Sequence, residues 1–291
     1  MIFCAHCTID TRRIAVKKLL LLVLILVVAL FAAGCQREGT IIDINGSDTM
    51  VNMGAALAEE FMKTNRNIEV VVSGGGSGTG IAALIDGKAD IAQSSRDIRE
   101  SERAKAKARG TLHEIIVAWD GLAIAVHPAN PVKELTMAEL AAIYKGEITN
   151  WNQVGGNDAP IVLLSRDTTS GTHVFFKDFV LDEAEFAPAT MMMPSTEAIV
   201  QELAQNRNGI GYIGLGYVRP SVAILGIRAD DTAPAVVASI EAVLDRTYVL
   251  ARPLFFYVIG EIKGDLKTFL DFVLSSTGQK IVRDLGFVPI K

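Results

Sequence analysis

Short apolar runs alternate along this chain with longer stretches of helical spacing, and small polar turns lie between them. Thr40 to Ile44 alternates as a strand, and Met50 to Met62 then carries Met53, Leu57 and Phe61 at helical spacing. Ile68 to Val72 is a second alternating run. It leads through Ser73-Gly-Gly-Gly-Ser-Gly-Thr-Gly80 into a helical stretch from Ile81 to Ile85. Ala89 to Ala92 predicts a third short strand, followed by Gln93-Ser94-Ser95-Arg96-Asp97 and a charged helix from Glu100 to Arg109. Leu112 to Ala118 and Leu122 to Val126 read as two further strands, separated by Trp119-Asp120-Gly121.

A second series begins after His127-Pro128-Ala129-Asn130-Pro131. Thr136-Met-Ala-Glu139 is a capping box that opens a helix to Tyr144. Gly146 to Gly156 reads as a loop carrying Trp151, and Ile161 to Leu164 as a buried strand. That strand enters Ser165-Arg166-Asp167-Thr168-Thr169-Ser170-Gly171-Thr172, after which Val174, Phe175, Phe179 and Val180 fall at helical spacing. Met191 to Met193 reads as packing. Ser195 caps a helix to Ala204, Gly209 to Val218 is a glycine-studded strand, and Leu254 to Ile259 is a closing strand. Helical stretches from Leu266 to Leu274 and Gln279 to Leu285 end the chain. Strands alternating with helices predict an α/β protein with largely parallel sheets and ligands at the carboxyl ends of the strands.

Composition adds a leader to this picture. The chain has 291 residues, 50% hydrophobic, with a formal charge of −5. Arg12, Arg13, Lys17 and Lys18 precede an uncharged run from Leu19 to Ala33, which is shorter than the about 20 residues a spanning helix needs. Residues 1–34 therefore predict a signal peptide. Ala32-Ala33-Gly34-Cys35 resembles a bacterial lipobox, with Ala32 where Leu is usual, so Cys35 is expected to be the lipidated first residue of the mature chain. Cys4 and Cys7 lie upstream and leave with the leader. Losing Arg12, Arg13, Lys17, Lys18 and Asp10 moves the formal charge from −5 to −8. A basic footprint for nucleic acid is absent, and an anionic ligand has to be held by local groups.

Four turns share one design: Gly46 to Met50, Ser73 to Gly80, Ser94 to Arg96, and Arg166 to Thr172. Each stands between a strand end and a helix start, each carries hydroxyls, and two carry an arginine. Backbone N–H groups, hydroxyls and guanidinium forks are the donor set that a tetrahedral oxyanion requires. Micromolar binding requires about 8 kcal/mol, and a hydrogen bond to a charged group contributes roughly 1.5–3 kcal/mol, so several loops have to converge.

Enzyme readings are weaker. Gly209-Ile-Gly211-Tyr-Ile-Gly214 matches G-x-G-x-x-G formally, but its glycines fall inside an apolar run. Gly76-Ser77-Gly78 lacks nucleophile-elbow spacing, and no Walker lysine follows the glycines. Ser170 beside His173 leaves an exported serine hydrolase, using Ser170 or Ser77, as a minor alternative. No metal cluster or cofactor motif is visible.

Together these stretches resemble the PstS-type phosphate-binding proteins of bacterial ABC importers. The resemblance rests on Asn45-Gly-Ser-Asp-Thr-Met50, the Ser73–Gly80 loop, Ser94-Ser-Arg96, Trp119-Asp-Gly-Leu-Ala-Ile124, Ile148-Thr-Asn-Trp151, Arg166-Asp-Thr-Thr-Ser-Gly-Thr172, Gly209–Gly214, Arg252-Pro-Leu254 and Gly286-Phe-Val-Pro-Ile290. It implies a type II periplasmic-binding-protein fold, with two lobes joined by a two-strand hinge. Residues 36–120 with 251–291 would form one lobe and 121–250 the other, with Leu122–Val126 and Leu254–Ile259 as crossover strands. Phosphate contacts carried over by motif are Thr49, the Met50 backbone, Ser77, Arg166, Ser170, Gly171 and Thr172; the shared loops add Ser47, Ser95 and Arg96.

In one respect the chain departs from the family. Ser95, with Arg96 beside it, stands where some members place an aspartate that accepts the proton of hydrogen phosphate; Asp48 and Asp167 remain as candidate acceptors. The resemblance implies an exported, lipid-anchored, monomeric receptor, not an enzyme. Its ligand would be inorganic phosphate and its partner a membrane ABC permease with its ATPase. Alternatives are a receptor for another oxyanion such as sulfate or molybdate, or a surface sensor that feeds no transporter.

Overall fold

The computed structural model describes residues 39–290. The predicted signal peptide, Cys4, Cys7 and the lipidation site at Cys35 lie outside the described residues. None of the helices among the described residues is long and apolar enough to cross a membrane.

The first three strands form where the apolar alternation predicts them: β1 (Thr40–Gly46), β2 (Ile68–Gly75) and β3 (Ile91–Ser94). They pair in parallel, with β1 between the other two. Helices α1 (Val51–Thr64), α2 (Ser77–Ile85) and α3 (Glu100–Arg109) connect or follow them. Met53, Leu57 and Phe61 of α1 are buried, as their spacing requires. A second parallel set consists of β6 (Val162–Arg166), β7 (Met191–Met193) and β8 (Gly209–Gly214), with β6 in the middle. It carries α4 (Met137–Lys145), α5 (Gly171–Val180) and α6 (Thr196–Gln205). The capping box at Thr136 and the cap at Ser195 form as the sequence predicts: Thr136 and Glu139 cap α4 reciprocally, and Ser195 Oγ accepts from the Ala198 amide.

Two long strands join these flanks, β4 (Leu112–Val126) and β12 (Ala251–Ile259); the numbering also counts the short strands β5 (Glu134–Thr136), β9 (Ala223–Ile224), β10 (Gly226–Arg228) and β11 (Val236–Val237). Across the main sheet the order is β2-β1-β3-β12-β4-β8-β6-β7. Both central strands run antiparallel to their neighbours, so the sheet is mixed rather than largely parallel. The chain passes between flanks at Gly121–Leu122 and returns at Leu250–Ala251, where the Leu122 amide donates to the Leu250 carbonyl.

Two expectations are corrected here. The break at Trp119-Asp120-Gly121 does not exist; Leu112–Val126 is one strand of 15 residues. Asp120 stays in it because Arg252 lies opposite in register, and Gly121 because a Cβ there would stand 3.0 Å from Leu215 and 3.1 Å from Val243. Met191 and Met192 are not core packing but 46% and 48% exposed, since their strand is short and lies at the sheet's edge.

The C-terminal segment locks onto the second flank. Phe287 is 1% exposed, and a Cβ at Gly216 would stand 2.4 Å from its ring and 2.9 Å from the Leu285 carbonyl. Gly216→Ala is expected to cost about 1–3 kcal/mol by overpacking, read from the denaturant midpoint.

Candidate functional site

The carboxyl ends of the parallel strands from both flanks meet at a set of buried hydroxyls. After β1, the Ser47 amide donates to the Gln93 carbonyl (2.7 Å), and a short 3-10 turn, Asp48–Met50, follows. This turn buries Thr49 and Met50, and the Met50 amide donates to the Ser47 carbonyl (3.0 Å). After β2, Gly76 has φ of 98° and lets α2 begin at Ser77, which is fully buried. After β3 come Ser95 and Arg96. After β6, Ser170 Oγ caps α5 by accepting from the Thr172 and His173 amides.

Five of these hydroxyls are linked. Ser47 Oγ donates to Ser95 Oγ (2.9 Å); Ser95 Oγ lies 3.4 Å from Ser77 Oγ and 3.4 Å from Thr172 Oγ1; and Thr172 Oγ1 lies 2.8 Å from Thr49 Oγ1. All five residues are at most 2% exposed. Thr172 comes from the second flank and the other four from the first, so the network spans both. Gly171 makes this convergence sterically feasible: a Cβ there would stand 2.2 Å from Ser77 Oγ and 2.8 Å from Ser95 Oγ. The glycine-rich stretch works in the same way. A Cβ at Gly76 would stand 2.6 Å from the Thr169 carbonyl, and the Gly78 amide donates to that carbonyl (3.0 Å).

The sequence-predicted cations are placed differently. Arg96 is buried, but its fork grips Glu102 (2.7 and 2.8 Å) and the Asp97 carbonyl. Burial works to raise the Glu102 carboxyl, yet Arg96 and the Arg99 amide hold it below the usual carboxylate range. Arg166 donates to Thr196 Oγ1 (3.0 Å) and to the Pro194 and Met193 carbonyls. It also lies 2.8 Å from Asp48 Oδ2, within ion-pair range but without hydrogen-bond alignment, since that oxygen has no hydrogen-bond partner. Neither guanidinium hydrogen-bonds one of the five linked hydroxyls.

The guanidinium that does so was not singled out from the sequence. Arg252 Nη2 donates to Thr172 Oγ1 (3.0 Å) and to Asp120 Oδ2 (3.0 Å), and Nη1 donates to the Ser95 carbonyl (3.0 Å). Asp120 is fully buried and Arg252 is 1% exposed. Burial pushes the Asp120 carboxyl up and the Arg252 guanidinium down, and each charge draws the other back toward ionisation. The available signal was a lone acid and a lone base inside apolar strands, which burial permits only as a pair.

The two candidate proton acceptors also separate. Asp167 Oδ1 accepts from the Thr169 amide (3.1 Å), Thr169 Oγ1 (2.6 Å) and the Ser170 amide (3.2 Å), closing its own turn. Asp48 keeps Oδ2 free of hydrogen bonds beside Arg166. His173 turns from Ser170 toward Ser165 Oγ (3.1 Å) and stacks on Phe186, and burial lowers its pKa. The serine–histidine pair of the hydrolase alternative is therefore not formed.

The chain is similar to known proteins over most of its length. The family model of the PBP superfamily domain matches residues 33–277. The phosphate-binding protein PstS of Pseudomonas aeruginosa is 34% identical over 84% of this chain and 81% of its own length. The crystal structure of a Clostridium perfringens substrate-binding protein with bound phosphate superposes with a TM-score of 0.79 at 33% identity, covering 87% of this chain and 100% of that one. An ABC-type phosphate transport receptor from Vibrio cholerae gives 0.68 at 34% identity, covering 85% and 99%.

Gly171→Ala is expected to drive Ser77 and Ser95 apart and cost about 1–3 kcal/mol of stability. Chemical denaturation measures the loss, and an unchanged midpoint would show that the hydroxyl cluster yields without strain.

Proposed function

The chain belongs to the PBP superfamily and, within it, to the PstS phosphate-binding proteins, and from that premise we propose that it captures inorganic phosphate and delivers it to an ABC importer. The observation that carries the reading is the network of five buried hydroxyls drawn from both flanks of the sheet. Such hydroxyls bond one another as neutral partners. An oxyanion among them replaces neutral bonds by charge-assisted ones, which are about twice as strong.

In this reading Ser47, Thr49, Ser77, Ser95, Ser170 and Thr172 supply hydroxyls, and Met50 and Gly171 line the site through their backbone. Arg166 and Arg96 hold the surrounding loops and supply positive potential. Residues 36–120 with 251–291 form one lobe and 121–250 the other, closing about Asp120–Leu122 and Leu250–Arg252. Each buried guanidinium beside the site already faces a carboxylate: Arg96 with Glu102, Arg166 with Asp48, Arg252 with Asp120. Binding therefore draws on oriented dipoles more than on net charge, in keeping with a chain whose formal charge is −5.

In this reading Asp48 is the acceptor for the proton of hydrogen phosphate, because its Oδ2 is buried beside Arg166 without a hydrogen bond, while Asp167 Oδ1 takes three bonds within its own turn. Fully ionised sulfate would meet that oxygen with no proton to share. Residues 1–34 act as a signal peptide and Cys35 carries the lipid, placing a monomeric receptor at the outer side of a bacterial membrane beside its permease and ATPase.

Phosphate at 100-fold over its dissociation constant is expected to add about 2.7 kcal/mol to the unfolding free energy. Thermal unfolding that responds to sulfate or molybdate but not to phosphate would overturn the ligand. Asp48→Asn is expected to narrow the preference for phosphate over sulfate by about tenfold or more, measured by competition calorimetry. Cys35→Ser is expected to abolish incorporation of labelled palmitate in the producing cell.

A further inference from the structure

We infer that Arg252 is a positioning residue of the anion site: held by Asp120, it orients the hydroxyl of Thr172 as a donor toward the ligand. This rests on the phosphate reading above and goes beyond the loops that reading names.

A hydroxyl has one hydrogen and two lone pairs. Arg252 Nη2, 3.0 Å from Thr172 Oγ1, can only donate and so occupies one lone pair. The hydrogen of Thr172 then points away from the cation, toward Thr49 Oγ1 (2.8 Å) or Ser95 Oγ (3.4 Å), into the hydroxyl cluster. A charged donor behind the oxygen also polarises that hydroxyl, which strengthens the bond it gives in front. Thr172 thus faces an incoming oxyanion as a fixed donor rather than as a rotor free to present a lone pair.

Arg252 itself is over-determined. Its Nε and Nη2 bond Asp120 Oδ2, its Nη1 bonds the Ser95 carbonyl, and its Cζ stands 5.2 Å from the centre of the Phe175 ring. Thr172 and Phe175 are three residues apart on α5, so one face of that helix touches the guanidinium twice. Both oxygens of Asp120 are consumed, Oδ1 by the Leu215 amide (2.9 Å) and Oδ2 by Arg252. Each oxygen of this fully buried carboxylate is thus already bonded within the protein, and its task is to hold the arginine. Among the described residues, Arg252 is the one guanidinium that hydrogen-bonds a member of the linked hydroxyls.

The test is a cycle of variants read by calorimetric phosphate titration, with melting temperatures recorded without phosphate. Thr172→Val is expected to weaken binding about tenfold or more, and so is the neutral pair Asp120→Asn with Arg252→Gln. Combining all three is expected to add no more than about threefold to the loss of Thr172→Val, because both changes remove the same oriented donor. Thr172→Ser, which keeps the hydroxyl, is expected to bind within about threefold of the unaltered chain.

Losses that multiply toward about 100-fold, or a folded pair variant that binds normally, would overturn the inference. If the pair variant does not fold, Arg252→Lys decides. One ammonium keeps the charge opposite Asp120 but cannot serve Thr172, Asp120 and the Ser95 carbonyl in the same geometry. It is expected to lose about tenfold in affinity at an unchanged melting temperature, and normal affinity would sink the idea. Failure of the unaltered chain to bind phosphate would overturn the phosphate reading itself, an outcome distinct from multiplying losses.

Discussion

A carboxylate and a guanidinium, Asp120 and Arg252, face each other in register on the two strands that join the flanks of the sheet. Burying such a pair costs several kcal/mol per ion after relaxation, and mutual attraction offsets this only when the remaining donors and acceptors are satisfied. Here each is. Leu215 serves one side of Asp120, while the Ser95 carbonyl and Thr172 hydroxyl serve Arg252. These partners come from the ends of β8, β3 and the start of α5. The pair is therefore satisfied only when both flanks hold this one arrangement, and removing either partner would strand a buried charge.

The same logic governs the cleft around it. Its three buried arginines each face a carboxylate, and its hydroxyls bond one another across the flanks. Under the proposed reading, a phosphate site built this way does not rely on excess positive charge, which the acidic chain could ill supply. Its proposed selectivity rests on where single hydrogens and lone pairs point. Close approach of the backbones is the steric condition for it, met at Gly76 against Thr169 and at Gly171 against Ser77 and Ser95.

Much of this was legible in the chain. Apolar patterning located β1, β2, β3, β6 and β8 and most of the helices between them, because each buries one face against the same sheet, but it missed β7, which read as packing. The four strand-end loops were visible as small polar interruptions, and they do meet. Legibility failed where a residue's role depends on a partner remote in sequence. Trp119-Asp120-Gly121 read as a turn because polarity and a glycine break an apolar run, while its true partner, Arg252, is 132 residues away from Asp120. Arg96 and Arg166 were readable as cations near the site, but Glu102 and Thr196, which take up their forks, were not.

By itself the sequence determined the α/β alternation, the leader-like N-terminus, the family resemblance and the donor chemistry of the loops, since each follows from local spacing and residue type. Tertiary structure decided which donors touch. It left Asp48 Oδ2 beside Arg166 without a hydrogen bond and set Arg252 behind Thr172. The placement of Arg252 depends on the mixed pairing of β4 and β12, a non-local choice made by the whole core and invisible to any local window. The glycine-rich stretch shows the division well. Its composition announced close backbone approach, but only the fold revealed that what approaches is Thr169 from the other flank.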